Sequence, residues 1–377
     1  MNVTPGARPT VLFVFGMGRS GSSALTRVLS LCGGTLPGAL VGATDGNPLG
    51  HWEPEGALSL NQDFLSQHGA TWFDPTLRLQ GEVAFTAGQR SLYLGQIRTF
   101  LAPFATAPLI LIKEPRITAL SDFWLEAARQ LGLSVAVVIP VRHPEEVAAS
   151  LAKRDQASPE LASALWLKYN LLGERESRPY PRVFVEYSSL LRDWRVEVAR
   201  IAAALSLDLS VRDEAAVDSF LRHDLHRQRH RGRISEPFAQ GWVSKVYGAL
   251  SAAARDEPPA TALLDEVFAS YRASERTFRI ALDDFRARFA SVDVGRNPNI
   301  TALISAVAGA NSQTLRACLK SHWYGEHNAD VLAAGRDPYE HWMAYGVNEG
   351  RLPCEDPLAL LERLMRERTG AAAAAKA

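Results

Sequence analysis

The residues with the clearest chemical content come early in the chain. Gly16-Met17-Gly18-Arg19-Ser20-Gly21-Ser22-Ser23 packs three glycines, three serines and an arginine into eight positions. Glycines let the backbone curl so that successive N–H groups converge on one anion. A helix starting there adds the partial positive charge of its N-terminus, and Ser22 and Ser23 can donate hydroxyls to the same group. The chemistry expected of such a turn is recognition of a phosphate. Set against the Walker A pattern G-x-x-x-x-G-K-[ST], Gly16, Gly21 and Ser23 match. Ser22 stands where the lysine belongs, and Arg19 supplies a charge three positions earlier. No replacement for that lysine is evident, which counts against a nucleoside-triphosphate enzyme. A glycine turn without a ligand is the plain alternative.

A second anion site is readable in Val141-Arg142-His143-Pro144-Glu145-Glu146-Val147-Ala148-Ala149-Ser150. Pro144 suits the first turn of a helix. Arg142 just before it and Ser150 about two turns into it can hold one phosphate between them, the arginine through a charge-assisted pair. An ordinary helix start, with Glu145 and Glu146 complementing the dipole, would read the same way. Lys113 and Arg116, in Lys113-Glu114-Pro115-Arg116, follow another apolar run. In Asn47-Pro48-Leu49-Gly50-His51-Trp52-Glu53, a carboxylate and an imidazole stand close together, and either can take a proton from a hydroxyl within reach.

The elements that must position these residues are those of an α/β domain. Val11–Phe15, Leu109–Ile112, Val135–Val141 and Val183–Val185 are short continuous apolar runs, as expected of strands buried on both faces. Helical patterns fall between them at Leu58–His68, Ala87–Phe100, Leu120–Leu131, Pro144–Lys153 and Leu161–Leu172. This alternation predicts a P-loop-like, doubly wound parallel sheet flanked by helices, with ligands beyond the C-terminal strand ends. Farther on, Leu190–Leu205 reads as a helix with Asp193 facing solvent, and residues 260–290 as one long helix. Val185-Glu186-Tyr187 reads as structural.

The pair GMGRSGSS and VRHPEEVAASLAKR resembles the 5′-phosphosulfate and 3′-phosphate loops of the sulfotransferases that use 3′-phosphoadenosine 5′-phosphosulfate (PAPS). The resemblance spans about residues 10–235, with both motifs in the family's order. It implies PAPS as co-substrate and adenosine 3′,5′-bisphosphate as product; because that leaving group is already a good one and basic side chains neutralise it, no metal is expected. By that match Gly18, Arg19, Ser20, Gly21, Ser22 and Ser23 hold the 5′ end, with Arg19 in place of the family's basic residue, and Arg142 and Ser150 hold the 3′-phosphate. Lys113 or Arg116 faces the sulfate or acceptor, as in the Lys-x-Pro-Arg segment of bacterial members. Glu53 is the first choice of base and His51 the second. The lysine and tryptophan of the small-molecule enzymes' first loop are missing, so the chain looks closer to bacterial, glycan-type members. The basic run Arg222, His223, His226, Arg227, Arg229, His230, Arg231 and Arg233 resembles the family's late donor-closing segment.

The implied reaction is an in-line transfer of a sulfuryl group to a hydroxyl. Residues 323–353 resemble a motif at the ends of bacterial surface-polysaccharide enzymes, which points to a glycan or glycolipid acceptor and to polysaccharide biosynthesis. Aromatics in that segment suit either sugar stacking or the core of a small helical unit. The expected organisation is a domain over 1–290, a linker at Ser291–Asn299, a helical module over 300–368 and a frayed tail over 369–377.

Composition limits the rest. Across 377 residues, 41 basic side chains balance 41 acidic ones, which argues against a nucleic-acid binder. Three cysteines make no disulfide framework. Cys318 and His322 have an i, i+4 spacing, but two ligands are not a metal site. The start lacks a signal-peptide core and no run reaches about 20 apolar residues, so the expectation is a cytoplasmic chain with no integral membrane segment. A homo-oligomer is compatible with all of this. Two alternatives stay open: a P-loop kinase or NTPase without the usual lysine, and a catalytically inactive glycan-binding protein.

Overall fold

The computed structural model describes residues 8–44, 47–81, 85–211, 213–221, 232–238, 240–258, 260–290, 298–308, 312–320, 322–347, 349 and 351–374. They fall in two compact units, Met1–Thr277 and Phe278–Ala377. The boundary lies within one helix, Thr261–Ala290.

The first unit is built on four parallel strands: β1 (Thr10–Val14), β2 (Leu109–Lys113), β3 (Ser134–Val141) and β4 (Arg182–Glu186), in the order β2-β1-β3-β4. Their helices are α1 (Ser22–Leu31), α2 (Glu55–Gln67), α3 (Ala87–Leu101), α4 (Ser121–Gln130), α5 (Pro144–Asp155), α6 (Pro159–Ser177), α7 (Tyr187–Arg192), α8 (Trp194–Leu205), α9 (Glu214–Phe220), α10 (Trp242–Ala253) and α11 (Thr261–Ala290). Successive strand residues point to opposite faces. Val11 and Phe13 therefore pack in one core with Tyr93, Trp124, Val147, Leu165 and Val246, from α3, α4, α5, α6 and α10. Leu12 and Val14 pack in the other with Leu25, Val28, Leu190 and Ile201, from α1, α7 and α8. Both faces are covered, so the sheet is doubly wound, and its strands need no polar alternation.

Chain order reverses at β1, whose neighbours are β2 and β3. This is the switch point at which the C-terminal strand ends open a crevice. The four apolar runs read from the sequence are these four strands, each within a residue or so of its predicted ends.

One predicted helix is two. Leu190–Leu205 breaks at Asp193, whose backbone is extended (φ −154°) and whose Oδ1 accepts from Arg195 N at 3.1 Å and Val196 N at 3.3 Å. Asp193 is exposed as expected, but it caps α8 and does not sit in a helix interior, and its side chain takes donors the helix start would leave unpaired. Helix α6 starts two residues earlier than expected, where Ser158 caps it by accepting from Leu161 N, and it also runs on to Ser177.

The second unit is helical, with Ile304, Leu315, Leu319, Tyr324, Tyr339, Trp342 and Leu364 at its core. Tyr324, Tyr339 and Trp342 are thus core residues. The side chain of His322 lies outside the described residues, and no group of three or more His, Cys, Asp or Glu among those described is placed to hold a metal ion. No described helix is long and apolar enough to cross a membrane.

Candidate functional site

All four strand ends deliver residues to one cavity of about 430 Å³. From β1 comes the glycine-rich turn, from β2 Lys113, from β3 Arg142 and from β4 Tyr187.

The turn is wound by left-handed residues. Gly16 has φ 99°, Arg19 φ 68° and Gly21 φ 88°. Gly21 is the position just before α1 and has no side-chain cap. A Cβ there would sit 2.1 Å from Tyr187 Cδ2, so both the φ and the ring on the first residue after β4 demand glycine. The base of the turn is fixed by Gly16 N donating to Thr118 Oγ1 at 2.9 Å.

Three guanidiniums gather at this turn. Arg19 Nε donates to Ser150 Oγ at 2.9 Å, and Arg142 Nη1 donates to the Arg19 carbonyl at 2.9 Å. Arg142 also pairs with Glu146 at 2.8 Å and lies 4.9 Å over the Tyr187 ring. Arg154, one helical turn past Ser150, lines the same cavity and pairs with Asp155 at 2.7 Å. Burial, reinforced by the like charges of Arg154 and Arg142, pulls Arg19 down to about 10. A guanidinium destabilised in this way gains most when an anion arrives.

The acceptor-side residues also converge. Lys113, only 3% exposed, donates to Ser23 Oγ at 3.2 Å, to the His51 carbonyl at 3.2 Å and, in a very short ion pair, to Glu53 Oε1. Asn47 Nδ2 donates to the same Ser23 hydroxyl at 3.2 Å. His51 Nδ1 lies 4.0 Å from Glu53 Oε1, and its Nε2 meets Thr44 Oγ1 at 2.9 Å. Burial holds His51 below its ordinary value; Glu53 opposes that, while Lys113 adds to it. Oε2 of Glu53 takes no hydrogen bond among the described residues.

Of the residues singled out from sequence, Gly18, Arg19, Gly21, Ser22, Ser23, His51, Glu53, Lys113, Arg116 and Arg142 all border the cavity. Ser150 does not, but it reaches the site through Arg19. Ser20 does not border it either; it is wholly buried, and its hydroxyl has no partner among the described residues. Arg116 lines the cavity while ion-paired to the buried Glu114, which also accepts from Asn61 Nδ2 at 2.5 Å. Burial raises Glu114, and Arg116 opposes the shift. Of the late basic run, residues 222–231 lie outside the described residues.

The structure adds members and changes one reading. A lysine does reach the turn: Lys113 arrives from β2, 90 residues away, where the local sequence offers none. Tyr187 is part of the site as well as of the core; its strand-end position, shared with Lys113 and Arg142, is the signal for it. Arg154 had a weaker signal, its i, i+4 spacing from Ser150 on one face of α5. Trp72, which also lines the cavity, had none.

No protein-family model matches the chain, and no curated protein does. Among solved structures it is similar to the sulfotransferase domain from the Synechococcus PCC 7002 olefin synthase, at 18% identity over 66% of this chain and 96% of that one, with a TM-score of 0.39. It is also similar to the sulfotransferase domain from the curacin biosynthetic pathway, at 16% identity over 64% of this chain and 98% of that one, with a TM-score of 0.38. Likeness at that level is weak and adds nothing to the geometry described above.

Proposed function

We propose that the chain transfers a sulfuryl group from PAPS to a hydroxyl. One observation carries this reading: a glycine-wound turn, with a helix start behind it, lies beside Arg19, Arg142 and Ser150, which are hydrogen-bonded into one cluster. A phosphate-bearing ligand held from both the turn and the Arg142–Ser150 helix suits that donor set. The tight packing of Gly21 against the Tyr187 ring, which leaves no room for a Cβ, supports a turn held in one shape.

PAPS, when bound, would supply a sulfuryl group on a phosphate that leaves readily. The chain's own residues do the rest. The turn over Gly18–Ser23 and the Arg19 guanidinium, held by Ser150, would stabilise the negative charge that gathers on the leaving group, as electrostatic preorganisation. Arg142 is oriented by Glu146 and held against the Tyr187 ring. Glu53 receives the acceptor's proton on its unengaged oxygen, while Lys113 fixes the other and ties it to Ser23. His51, held by burial below its ordinary value, is the second candidate for that proton. Steady formation of adenosine 3′,5′-bisphosphate from PAPS, dependent on an added alcohol, is the activity test.

Lys113 beside Ser23 favours a second reading, a nucleoside-triphosphate enzyme whose lysine comes from another strand. Its ion pair with Glu53 and its bond to the His51 carbonyl tie it instead to the loop opposite the turn. The expectation of a glycan acceptor rests on residues 323–353, whose Tyr324, Tyr339 and Trp342 are core residues. The acceptor is proposed here only as a hydroxyl.

A further inference from the structure

Two cysteines meet in the second unit. Cys318 is on the helix Gln313–Leu319, and Cys354 is in the segment just ahead of the helix Pro357–Ala374. Cys318 Sγ lies 3.9 Å from the carbonyl of Pro353, the residue before Cys354. Cys354 Sγ lies 3.3 Å from the Asp356 carbonyl. The two thiols are hydrogen-bonded to each other.

The elements that carry them are packed together independently of the sulfurs. Leu315 and Leu319, on the helix of Cys318, share a core with Leu360, Leu361 and Leu364 of the helix that follows Cys354. Thr314 Oγ1 donates to Glu367 at 2.7 Å between the same two helices. Cys318 and Cys354 pack against that core and are half-buried, which leaves them within reach of a small oxidant. Joining two sulfurs already in contact, on elements already held, takes a turn of the side chains and no movement of the backbone.

Reactivity separates this pair from the third cysteine. The thiolate, not the thiol, reacts with an oxidant. The hydrogen bond from Cys354 holds the Cys318 thiol below its ordinary value; burial opposes that and Arg363 adds to it. Cys32 is wholly buried, and burial pushes its thiol up to about 11. Cys32 is therefore the slow thiol of the three and serves as an internal control.

We infer that Cys318 and Cys354 are a redox-sensitive pair, which a peroxide converts to an intramolecular disulfide that ties the helix Gln313–Leu319 to the segment ahead of Pro357–Ala374. The Cys318 thiolate attacks one peroxide oxygen and becomes a sulfenic acid; the hydroxide released takes up a proton and leaves as water. The Cys354 sulfur then attacks the Cys318 sulfur, the S–O bond breaks, and the Cys354 proton departs with the hydroxyl as a second water. One peroxide is reduced and two thiols are oxidised. The loop closed in this way is about 36 residues long, enough for the cross-link to restrain the segment. None of this rests on the sulfuryl-transfer reading.

The test is oxidation of the full chain with hydrogen peroxide in slight molar excess, followed by alkylation and mass spectrometry of its peptides without reduction. The expected product is a peptide pair joined through Cys318 and Cys354 in protein that still runs as a single chain. It should form at least about tenfold faster than Cys32 is lost, and dithiothreitol should reverse it. Amide exchange over Gln313–Leu319 should slow at least about tenfold in the oxidised protein. In Cys354→Ser the cross-link and the slowing should both vanish, and dimedone should trap Cys318 as the sulfenic acid. Cys318→Ser, which should also lose the cross-link and the slowing, carries the comparison if Cys354→Ser does not fold. Loss of Cys318 and Cys354 no faster than Cys32 would overturn the inference, as would a disulfide between chains or to Cys32. A cross-link that leaves exchange unchanged would overturn the tie.

Discussion

Arg19 and Ser150 stand 131 residues apart in the chain, yet Arg19 Nε donates to Ser150 Oγ at 2.9 Å. That bond joins the turn after β1 to the helix after β3. It makes a single donor cluster of two motifs that the sequence presents separately.

Arg19 is destabilised by burial and by Arg154 and Arg142, so its removal relieves the unliganded protein while depriving the liganded one. For Arg19→Ala, turnover should fall about 100- to 1,000-fold, the range for losing one charge-stabilising donor. The melting temperature without ligand should hold or rise. Unchanged turnover in a folded Arg19→Ala protein would show that the guanidinium has no part in the reaction.

Gly21→Ala tests the cradle. The substitution puts a Cβ at φ 88° and against the Tyr187 ring. The left-handed conformation alone costs about 1–2 kcal/mol for an alanine, and displacing Tyr187 also disturbs Arg142, which lies over its ring. A lower melting temperature together with at least tenfold weaker nucleotide binding is expected. Wild-type values for both would mean that the turn is not held as described.

Glu53→Gln keeps the shape of the side chain and removes its basicity. Turnover should drop about 100-fold or more, as for loss of a general base, with nucleotide affinity within a few-fold of wild type. If His51→Gln causes that drop and Glu53→Gln does not, the proton goes to the imidazole, and Glu53 serves to hold Lys113.

Lys168 gives a pH signature independent of catalysis. Burial lowers it to about 8 from 10.5, with Asp74 and Glu275 opposing the shift. Between pH 8 and 10.5 the unfolded chain therefore binds more protons at this site than the folded one, and stability rises with pH. Below pH 8 the full penalty of a buried ammonium applies, on the order of 3 kcal/mol. In chemical denaturation, the stability of the wild type relative to Lys168→Met should climb across that window and be flat below it. A difference that stays constant with pH would place the lysine in contact with water.

The fold was largely legible because a parallel sheet buried on both faces needs unbroken apolar runs, and those are local in sequence. The glycine turn, Arg142 and Lys113 were legible because each follows such a run directly. What escaped depends on distance. Trp72 reaches the site only because Lys168, Tyr169 and Tyr271 hold its loop from other helices. Lys113 reaches Ser23 only because β2 pairs with β1. The break at Asp193 escaped for a different reason: the heptad-like run from Leu190 to Leu205 hides a side-chain cap in its middle.

The central claim is a site for a nucleotide with both a 5′ and a 3′ phosphate. Its most direct test is calorimetric titration of the full chain with adenosine 3′,5′-bisphosphate, with 5′-AMP and magnesium-ATP as controls. Micromolar binding of the bisphosphate is expected, weakened at least 100-fold when the 3′-phosphate is missing and lost in Arg142→Ala. Tighter binding of magnesium-ATP, or no binding of the bisphosphate, would contradict the claim.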